Sequence, residues 1–152
     1  MATTDDKQRV FLDTNILIRS TVKTAPMHLE TRIALDRLWK TRSELWISRQ
    51  VLREYMVNVT RHQTFMQPLP ISTVLKRVRF FMGNFELAED SDVVTDNLLR
   101  LISTIEVSGK QIHDANIVAT MQAYGIDQLL TNNVEDFTHF ASLITILPIV
   151  SS

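Results

Sequence analysis

The chain has 152 residues, 45% hydrophobic and 22% charged, which is the size and composition of one ordinary globular domain. It contains no cysteine, which excludes a disulfide framework, a thiolate metal site and a cysteine nucleophile. The 16 basic and 17 acidic residues nearly balance, which counts mildly against tight non-specific binding of nucleic acid but not against an enzyme with an acidic site.

The sequence has no features of a membrane or secreted protein. No apolar run reaches the ~18 residues that a membrane span needs. Residues 1–9 are polar and lack the basic start and apolar stretch of a signal peptide, so we expect a cytoplasmic protein. The three glycines and four prolines form no flexible linker, and we expect residues 1–152 to fold as a single domain.

The first half of the chain alternates between predicted strands and helices. A short apolar strand is predicted at Arg9–Asp13, and a helix follows from Asn15 up to a break near Pro26. The next predicted elements are a helix at Leu29–Thr41, a strand at Glu44–Ile47, a helix at Arg49–His62 capped by Ser48, and a helix at Ser72–Phe81 after the loop at Pro68 and Pro70.

The second half continues this alternation. Its predicted elements are a strand at Phe85–Ala88, a helix from Ser91 that Gly109 ends, a helix at His113–Tyr124, a strand at Gln128–Thr131 and a last strand at Leu143–Leu147. Strands separated by helices need crossover connections, so the sequence predicts an α/β fold. The expected architecture is a three-layer sandwich, in which helices flank a central, mainly parallel sheet of four to five strands.

Functional sites in such sheets lie at the carboxyl ends of the strands. In this chain those ends are Asp13, the segment after Ile47, and Thr131–Asp136. The last of these segments contains two asparagines and two acids, and it is either a turn held by local hydrogen bonds or part of a site.

Three acidic residues are candidates for chemistry, and each also has an ordinary explanation. Asp13 either caps the helix that follows it or belongs to a site at the sheet edge. Glu54 lies at the border of the inner face of its helix, where a solvated surface glutamate is the usual interpretation. Asp114 stands in a first helical turn, which the helix dipole favours, yet it also continues an apolar stripe through Ile117. His113 lies about 100° away around that helix, so we expect it to have a structural role.

The combination of these acids is more informative than any one of them. Carboxylates from separate segments meet at one edge of the predicted sheet, and like charges at short range raise one another's pKa. A magnesium ion prefers oxygen ligands, activates a water molecule and neutralises charge on a phosphate. Because the chain has no cysteine and no paired histidine motif, the acids favour Mg²⁺ or Mn²⁺ over zinc.

Four blocks of the sequence resemble the PIN-domain ribonuclease family, and in particular its VapC-type toxins. The blocks are FLDTNILIR, ISRQVLREY, IHDANIVAT, and LLTNNVEDF followed by ITILP, in the order and spacing of the family over nearly the whole chain. The resemblance implies cleavage of single-stranded RNA by water activated on Mg²⁺ or Mn²⁺. It also implies a homodimer, for which the helices at 29–41 or 72–81 offer an apolar surface, and, for a toxin, a small antitoxin that blocks the acidic groove.

The resemblance also assigns roles to individual residues. Asp13, Glu54 and Asp114 match the acids of the family, so they are the expected metal ligands and catalytic residues. Asp136 is added to the catalytic set because it belongs to an Asp-Phe pair in the fourth block. Whether Asp136 reaches the metal is left open, since this pair lies slightly later than the usual position of the fourth acid.

Two further family positions support the site, and one departs from the usual pattern. Asn15 matches the asparagine that supports the first acid, and Thr131 matches the threonine that leads into the fourth block. Many members have an aspartate two residues after that threonine, where this chain has Asn133. With only three firm carboxylates, a second metal ion would be held weakly if it binds at all.

Two other functions stay open at this point. A catalytically inactive PIN fold that binds RNA or protein is favoured by Asn133, and it would have no carboxylate-dependent Mn²⁺ site. A phosphatase with an aspartyl nucleophile at Asp13 is the other alternative, but such enzymes usually need a second acid where this chain has Asn15. The candidates for contact with an RNA phosphate are Arg49, Arg53, Arg61, Arg77 and Arg79.

Overall fold

The computed structural model describes residues 7–62 and 67–149. Its strands are β1 (Arg9–Leu12), β2 (Glu44–Ser48), β3 (Glu86–Ala88), β4 (Gln128–Leu130) and β5 (Thr145–Leu147). They form one sheet in the order β3-β2-β1-β4-β5, and every neighbouring pair is parallel. The prediction of an α/β fold with a mainly parallel sheet of four to five strands is confirmed.

Helices fill the connections between these strands. They are α1 (Thr14–Thr21), α2 (His28–Lys40), α3 (Arg49–Thr60), α4 (Ile71–Asn84), α5 (Asp92–Thr104), α6 (Gln111–Ala123) and a 3₁₀ helix (Val134–Phe140). Within the described residues, none of the helices is both long and apolar enough to cross a membrane.

The chain leaves the central strand β1 in one direction to form β2 and β3, and then returns to the other side of β1 to form β4 and β5. Right-handed crossovers that run in opposite directions cover opposite faces of a sheet. In agreement, α1 packs on α2 and α3, and α3 packs on α4, while α5 packs on α6. The helices therefore form two layers with the sheet between them.

The strand β1 is buried on both faces, which explains its continuous apolar sequence. Val10, Phe11 and Leu12 have no exposed surface, and neither has Leu129 in the neighbouring strand β4. The crossovers diverge between β1 and β4, which makes a topological switch point at the carboxyl ends of these two strands. The residues that follow the two strands, Asp13 and Thr131, therefore lie at the place where parallel sheets carry their sites.

The prediction that Gly109 ends the fifth helix is wrong. The helix α5 ends at Thr104, and the extended residue Ile105 caps it by donating its N–H to the carbonyl of Leu101. Gly109 adopts the left-handed φ of 59° in the turn before α6, and its carbonyl accepts the N–H of Ile112. The glycine therefore belongs to the start of the next helix, because its conformational freedom serves a turn and not a helix end.

The segment after β4 also differs from the prediction. Residues 131–137 were expected to form a loop, but a 3₁₀ helix begins at Val134 and continues to Phe140. Phe137 and Phe140 are buried and hold this helix on the core. Most other element ends lie within three residues of the prediction.

Candidate active site

The carboxylate of Asp13 is buried at the end of β1, with 7% of its residue surface exposed. It caps helix α1, because its Oδ1 accepts the N–H of Thr14 at 2.8 Å. Its Oδ2 accepts the Asn15 Nδ2 at 3.0 Å and the Thr131 hydroxyl at 2.8 Å. Asp13 therefore caps helix α1, which was one of its two predicted roles, and it also lies at the topological switch point.

Asn15 and Thr131 connect the start of α1 to the end of β4. The Oδ1 of Asn15 accepts the backbone N–H of Asn132 at 3.0 Å, and the Oγ1 of Thr131 accepts the backbone N–H of Asn133 at 3.0 Å. Because both side chains also donate to Asp13, they hold its carboxylate in one orientation. This placement is the one expected of residues that support the first acid.

Glu54 faces the same edge from the second turn of α3. The strand β2 passes directly into this helix, and the Ser48 hydroxyl caps the helix by accepting the N–H of Val51. The Oε2 of Glu54 accepts the hydroxyl of Thr14 at 2.7 Å, and its Oε1 accepts the Nε2 of Gln50 at 2.8 Å. Glu54 is therefore partly buried and held on both carboxylate oxygens, unlike a solvated surface glutamate.

Asp114 lies in the first turn of α6 and is affected by the other three acids. Its pKa is raised to about 7, mainly by burial and then by the negative charges of Asp13, Asp136 and Glu54, in that order of importance. Such electrostatic effects act at short range, so the fold brings all four predicted acids to one place.

Burial is also the main reason why the pKa of Asp13 rises to about 6. Hydrogen bonds from Thr131, Thr14 and Asn15 oppose this rise, because they stabilise the charged form. The negative charge of Glu54 contributes to the rise. The charged forms of Asp13 and Asp114 are therefore unfavourable at this edge when no cation is bound.

An open groove of about 520 Å³ runs between α3 and α6 beside these acids. Its walls are formed by Gln50, Arg53, Glu54, Val57, Asn58, Lys110, His113, Asp114 and Asp136. Asp136 reaches this groove from the 3₁₀ helix, and Asp13 is buried next to it. His113 was expected to point away from Asp114, but the groove is wide enough for both residues to line it.

The three carboxylates that line this groove supply the oxygen donors that a hard cation prefers. Among residues 7–62 and 67–149, no three Asp, Glu or His side chains stand close enough together to form a ready-made metal cage. A magnesium-like ion does not need such a cage, because it usually keeps several waters and takes one or two carboxylates. The acids therefore fit a hydrated divalent ion, and the three-ligand set of Asp13, Glu54 and Asp114 stays a prediction.

The structure adds Gln50 and Asn116, which the sequence did not single out, to the hydrogen bonds of the site. Gln50 donates to Glu54 and accepts the Nδ2 of Asn116 at 2.7 Å. The only sequence signal for Gln50 was its spacing of four residues from Glu54, which places both on one face of α3.

The structure separates two of the arginines that were predicted to contact phosphate. Arg53 lines the groove, whereas Arg49 makes two hydrogen bonds to Glu89 at 2.7 and 2.8 Å.

The sequence profile of the PIN domain family matches residues 10–143. The chain belongs to the PIN domain family. No curated protein gives a significant match.

Solved structures of toxin–antitoxin systems share the fold of this PIN domain. VapBC2 from Rickettsia felis, bound to a DNA fragment from its promoter, is similar with a TM-score of 0.69 and 21% identity, over 93% of this chain and 98% of that chain. A toxin–antitoxin complex from Klebsiella pneumoniae has a TM-score of 0.65 and 22% identity, over 94% of this chain and 99% of that chain. VapC20 from Mycobacterium tuberculosis, a toxin that cleaves the sarcin–ricin loop, has a TM-score of 0.64 and 14% identity, over 90% of this chain and 96% of that chain. At these identities the similarity establishes the fold.

The raised pKa of Asp114 predicts how the metal-free protein responds to pH. Because the pKa is about 7 in the folded chain and ordinarily 3.8, the neutral side chain contributes stability below pH 4 that is lost as the pH rises through 7. We expect Asp114→Asn to raise the free energy of unfolding by about 1–2 kcal/mol at pH 8, once solvent screening of this partly exposed group is considered.

The free energies of unfolding of the wild type and of Asp114→Asn are measured by urea unfolding in EDTA at pH 4 and pH 8. At pH 4 the wild type and Asp114→Asn should have nearly the same stability. Asp127→Asn is the matched control, since Asp127 is exposed and precedes β4 at the opposite edge of the sheet. Equal stability of Asp114→Asn and the wild type at pH 8 would show that the acids do not crowd one another.

Proposed function

We propose that this PIN domain is an endoribonuclease that hydrolyses phosphodiester bonds of single-stranded RNA, and that it is the toxin of a toxin–antitoxin pair. The observation that carries the proposal is the convergence of Asp13, Glu54, Asp114 and Asp136 on one open groove, with the pKa of two of them raised. A related fold belongs to a toxin that cleaves the sarcin–ricin loop, which supports RNA as the substrate.

The groove needs a divalent cation for this reaction, because a phosphate would otherwise meet four like charges. Asp13 and Asp114 would hold Mg²⁺ or Mn²⁺, and Glu54 would either bind the ion or orient the attacking water. When bound, the ion would supply an activated water and neutralise charge on the scissile phosphate. Asp136 contributes a fourth carboxylate at the groove wall.

Hydrogen bonds from neighbouring groups orient these carboxylates. Thr14, Asn15 and Thr131 hold Asp13 at a defined angle. Thr14 and Gln50 hold the two oxygens of Glu54. Acids that are already oriented lose little freedom when the cation and the RNA bind, which lowers the free-energy cost of reaching the transition state.

Two basic residues supply a surface for the RNA backbone beside the acids. Arg53 lines the groove from α3 and Lys110 lines it from the turn before α6. Both are exposed, and neither side chain makes an ion pair in the part of the chain that the structure describes. Phosphate groups are the ligands that such free cations recognise on a nucleic acid.

An inactive PIN module that binds RNA or protein is the second candidate, and Asn133 is the observation in its favour. Asn133 stands where many family members have an acid, and here its backbone N–H donates to Thr131. Asp136 compensates in part, because it reaches the groove from the next turn of chain. The aspartyl phosphatase is less favoured, since Asn15 has its amide bonded to Asp13 and cannot act as a second acid.

The expected homodimer has a candidate surface away from the acidic groove. Helices α1, α2 and α4 surround an apolar depression of about 330 Å³, whose lining includes Leu35, Trp39 and Phe80. Trp39 is 49% exposed and Phe80 is 58% exposed, which is unusual for large aromatic side chains outside an interface. The helices α2 and α4 are the ones that the sequence offered for the homodimer, so we assign this face to a second copy of the chain. The proposed antitoxin would instead cover the acidic groove.

The nuclease is tested with Asp13→Asn and Asp114→Asn. Each change keeps the side-chain shape but removes a charge that the cation needs, so we expect cleavage to fall by more than about 100-fold, beyond the usual loss of a supporting residue. The assay uses a mixed single-stranded RNA pool with Mg²⁺, Mn²⁺ or EDTA, and Asp127→Asn is the matched control. A folded wild type that neither cleaves RNA nor takes up Mn²⁺ would favour the inactive module.

The phosphate contacts are tested with Arg53→Gln and Lys110→Gln. We expect KM for RNA to rise several-fold in each variant while kcat changes little, because these residues bind the backbone and not the reacting atoms. The slope of log KM against log salt should become shallower by about 0.7 per contact removed. Arg49→Gln is the matched control on the same helix, since Arg49 is already paired with Glu89. An equal rise of KM in all three variants would argue against a specific contact.

The dimer face is tested with Phe80→Glu. We expect this variant to be monomeric in light scattering under conditions where the wild type is a dimer, because a charge at the centre of an apolar interface is costly to bury. The same variant should keep its secondary structure in circular dichroism. A Phe80→Glu protein that remains a dimer would show that the homodimer uses another surface.

A further inference from the structure

We propose that Gln50 and Asn116 form a buried amide relay that fixes the orientation of the Glu54 carboxylate, so that Gln50 is a positioning residue of the active site. Gln50 is 7% exposed, and its Nε2 donates to the Oε1 of Glu54 at 2.8 Å. Its Oε1 accepts the Nδ2 of Asn116 at 2.7 Å. The role that this gives to Glu54 rests on the proposed nuclease function.

The direction of the relay follows from the groups around Gln50. Its Nε2 also donates to the backbone carbonyl of His113 at 3.0 Å. A carbonyl and an ionised carboxylate only accept hydrogen bonds, so the NH₂ end of Gln50 must face both His113 and Glu54. The oxygen of Gln50 is then left facing Asn116, which must present its own NH₂ group. Rotating the Gln50 amide by half a turn would replace the bonds to His113 and Glu54 by repulsive contacts.

The relay holds Glu54 without neutralising it. The other carboxylate oxygen accepts the hydroxyl of Thr14, which is also buried, at 2.7 Å. Both oxygens therefore have neutral donors, and Glu54 makes no ion pair among the described residues. A lysine or arginine in place of Gln50 would fix the carboxylate equally well but would cancel the charge that a cation needs. A neutral amide keeps that charge for the incoming ion.

The relay and Thr14, which bonds the other oxygen of Glu54, together connect three separate segments of the chain. Thr14 belongs to α1, Gln50 and Glu54 belong to α3, and Asn116 belongs to α6. Asn116 lies two residues after Asp114, so the turn of α6 that carries this acid is tied to the turn of α3 that carries Glu54. The relay therefore sets the position of the two acids relative to each other as well as the angle of one of them.

A purely structural role is the alternative, because the bond from Gln50 to the His113 carbonyl also joins α3 to α6. The two roles differ in what Asn116 does. If Gln50 only joins the helices, removing Asn116 affects stability by itself. If the relay orients Glu54, Asn116 acts through Gln50 and its loss has no further effect on the site once Gln50 is gone.

The test uses Gln50→Met and Asn116→Leu, which keep the approximate side-chain size, together with the double variant. Gln122→Met is the matched control, since Gln122 is an exposed amide on α6 outside the acidic groove. We expect Gln50→Met to lower kcat and the affinity for Mn²⁺, measured without RNA, by about 10- to 100-fold with KM for RNA nearly unchanged. Asn116→Leu should lower both by a smaller factor, and the double variant should equal Gln50→Met.

A readout of the relay that needs no activity is the hydrogen exchange of the Gln50 side-chain amide, followed by NMR. Its NH₂ hydrogens should exchange more slowly than those of Gln122, and Asn116→Leu should speed this exchange. If the wild type cleaves no RNA but Gln50 exchanges slowly, the nuclease proposal fails and the relay stands. The relay is overturned if Gln50 exchanges as fast as Gln122, or if the losses of Mn²⁺ affinity in Gln50→Met and Asn116→Leu simply multiply in the double variant.

Discussion

The hydrogen bond from the Thr131 hydroxyl to the buried Asp13 carboxylate joins the central strands β1 and β4 at the site. A carboxylate at the end of the central strand is costly to bury unless donors surround it. Two of its donors come from α1, which follows it directly, but the third comes from the end of β4. This bond ties the carboxyl ends of β1 and β4 together at the point where the crossovers diverge. The groove opens beside that point.

The acids of the groove oppose folding, and the rest of the molecule offsets this cost. Burial raises the pKa of Asp13 and Asp114, and the negative charges of neighbouring acids contribute to the rise. The core around β1 supplies the stability that makes this arrangement possible, since its apolar side chains are fully buried. Proteins commonly break a local rule of stability where function requires it, and the crowded carboxylates are the place where this chain does so.

Much of the fold followed from the sequence, because β1 and β4 are short apolar runs with polar residues directly after them. The rule for strand ends located Asp13 and Thr131 without any knowledge of packing. The sequence also placed Glu54 and Asp114 on helices, but the rotation of each helix about its axis depends on tertiary contacts. The topology therefore predicted that they reach the same edge of the sheet as Asp13, and the resemblance to PIN domains predicted that they share one site with it.

The features that the sequence did not reveal depend on contacts between distant segments. Gln50 and Asn116 are 66 residues apart in the chain, and neither amide is unusual in its own helix. The 3₁₀ helix after β4 was expected to be a loop, since so short an element has no long periodic pattern to reveal it. Asp136 reaches the groove because buried aromatic residues hold this helix on the core.

The strand order also determines when the site comes into being on the ribosome. The strand β1 is made first, yet it lies between β2 and β4, and β4 begins only at residue 128 of 152. Until that segment has emerged, one edge of β1 has no neighbour and the Asp13 carboxylate lacks the Thr131 hydroxyl. The groove therefore forms only late in synthesis of the chain. A fragment that ends before β4 lacks the Thr131 hydroxyl that holds Asp13, so it cannot assemble the complete acidic edge.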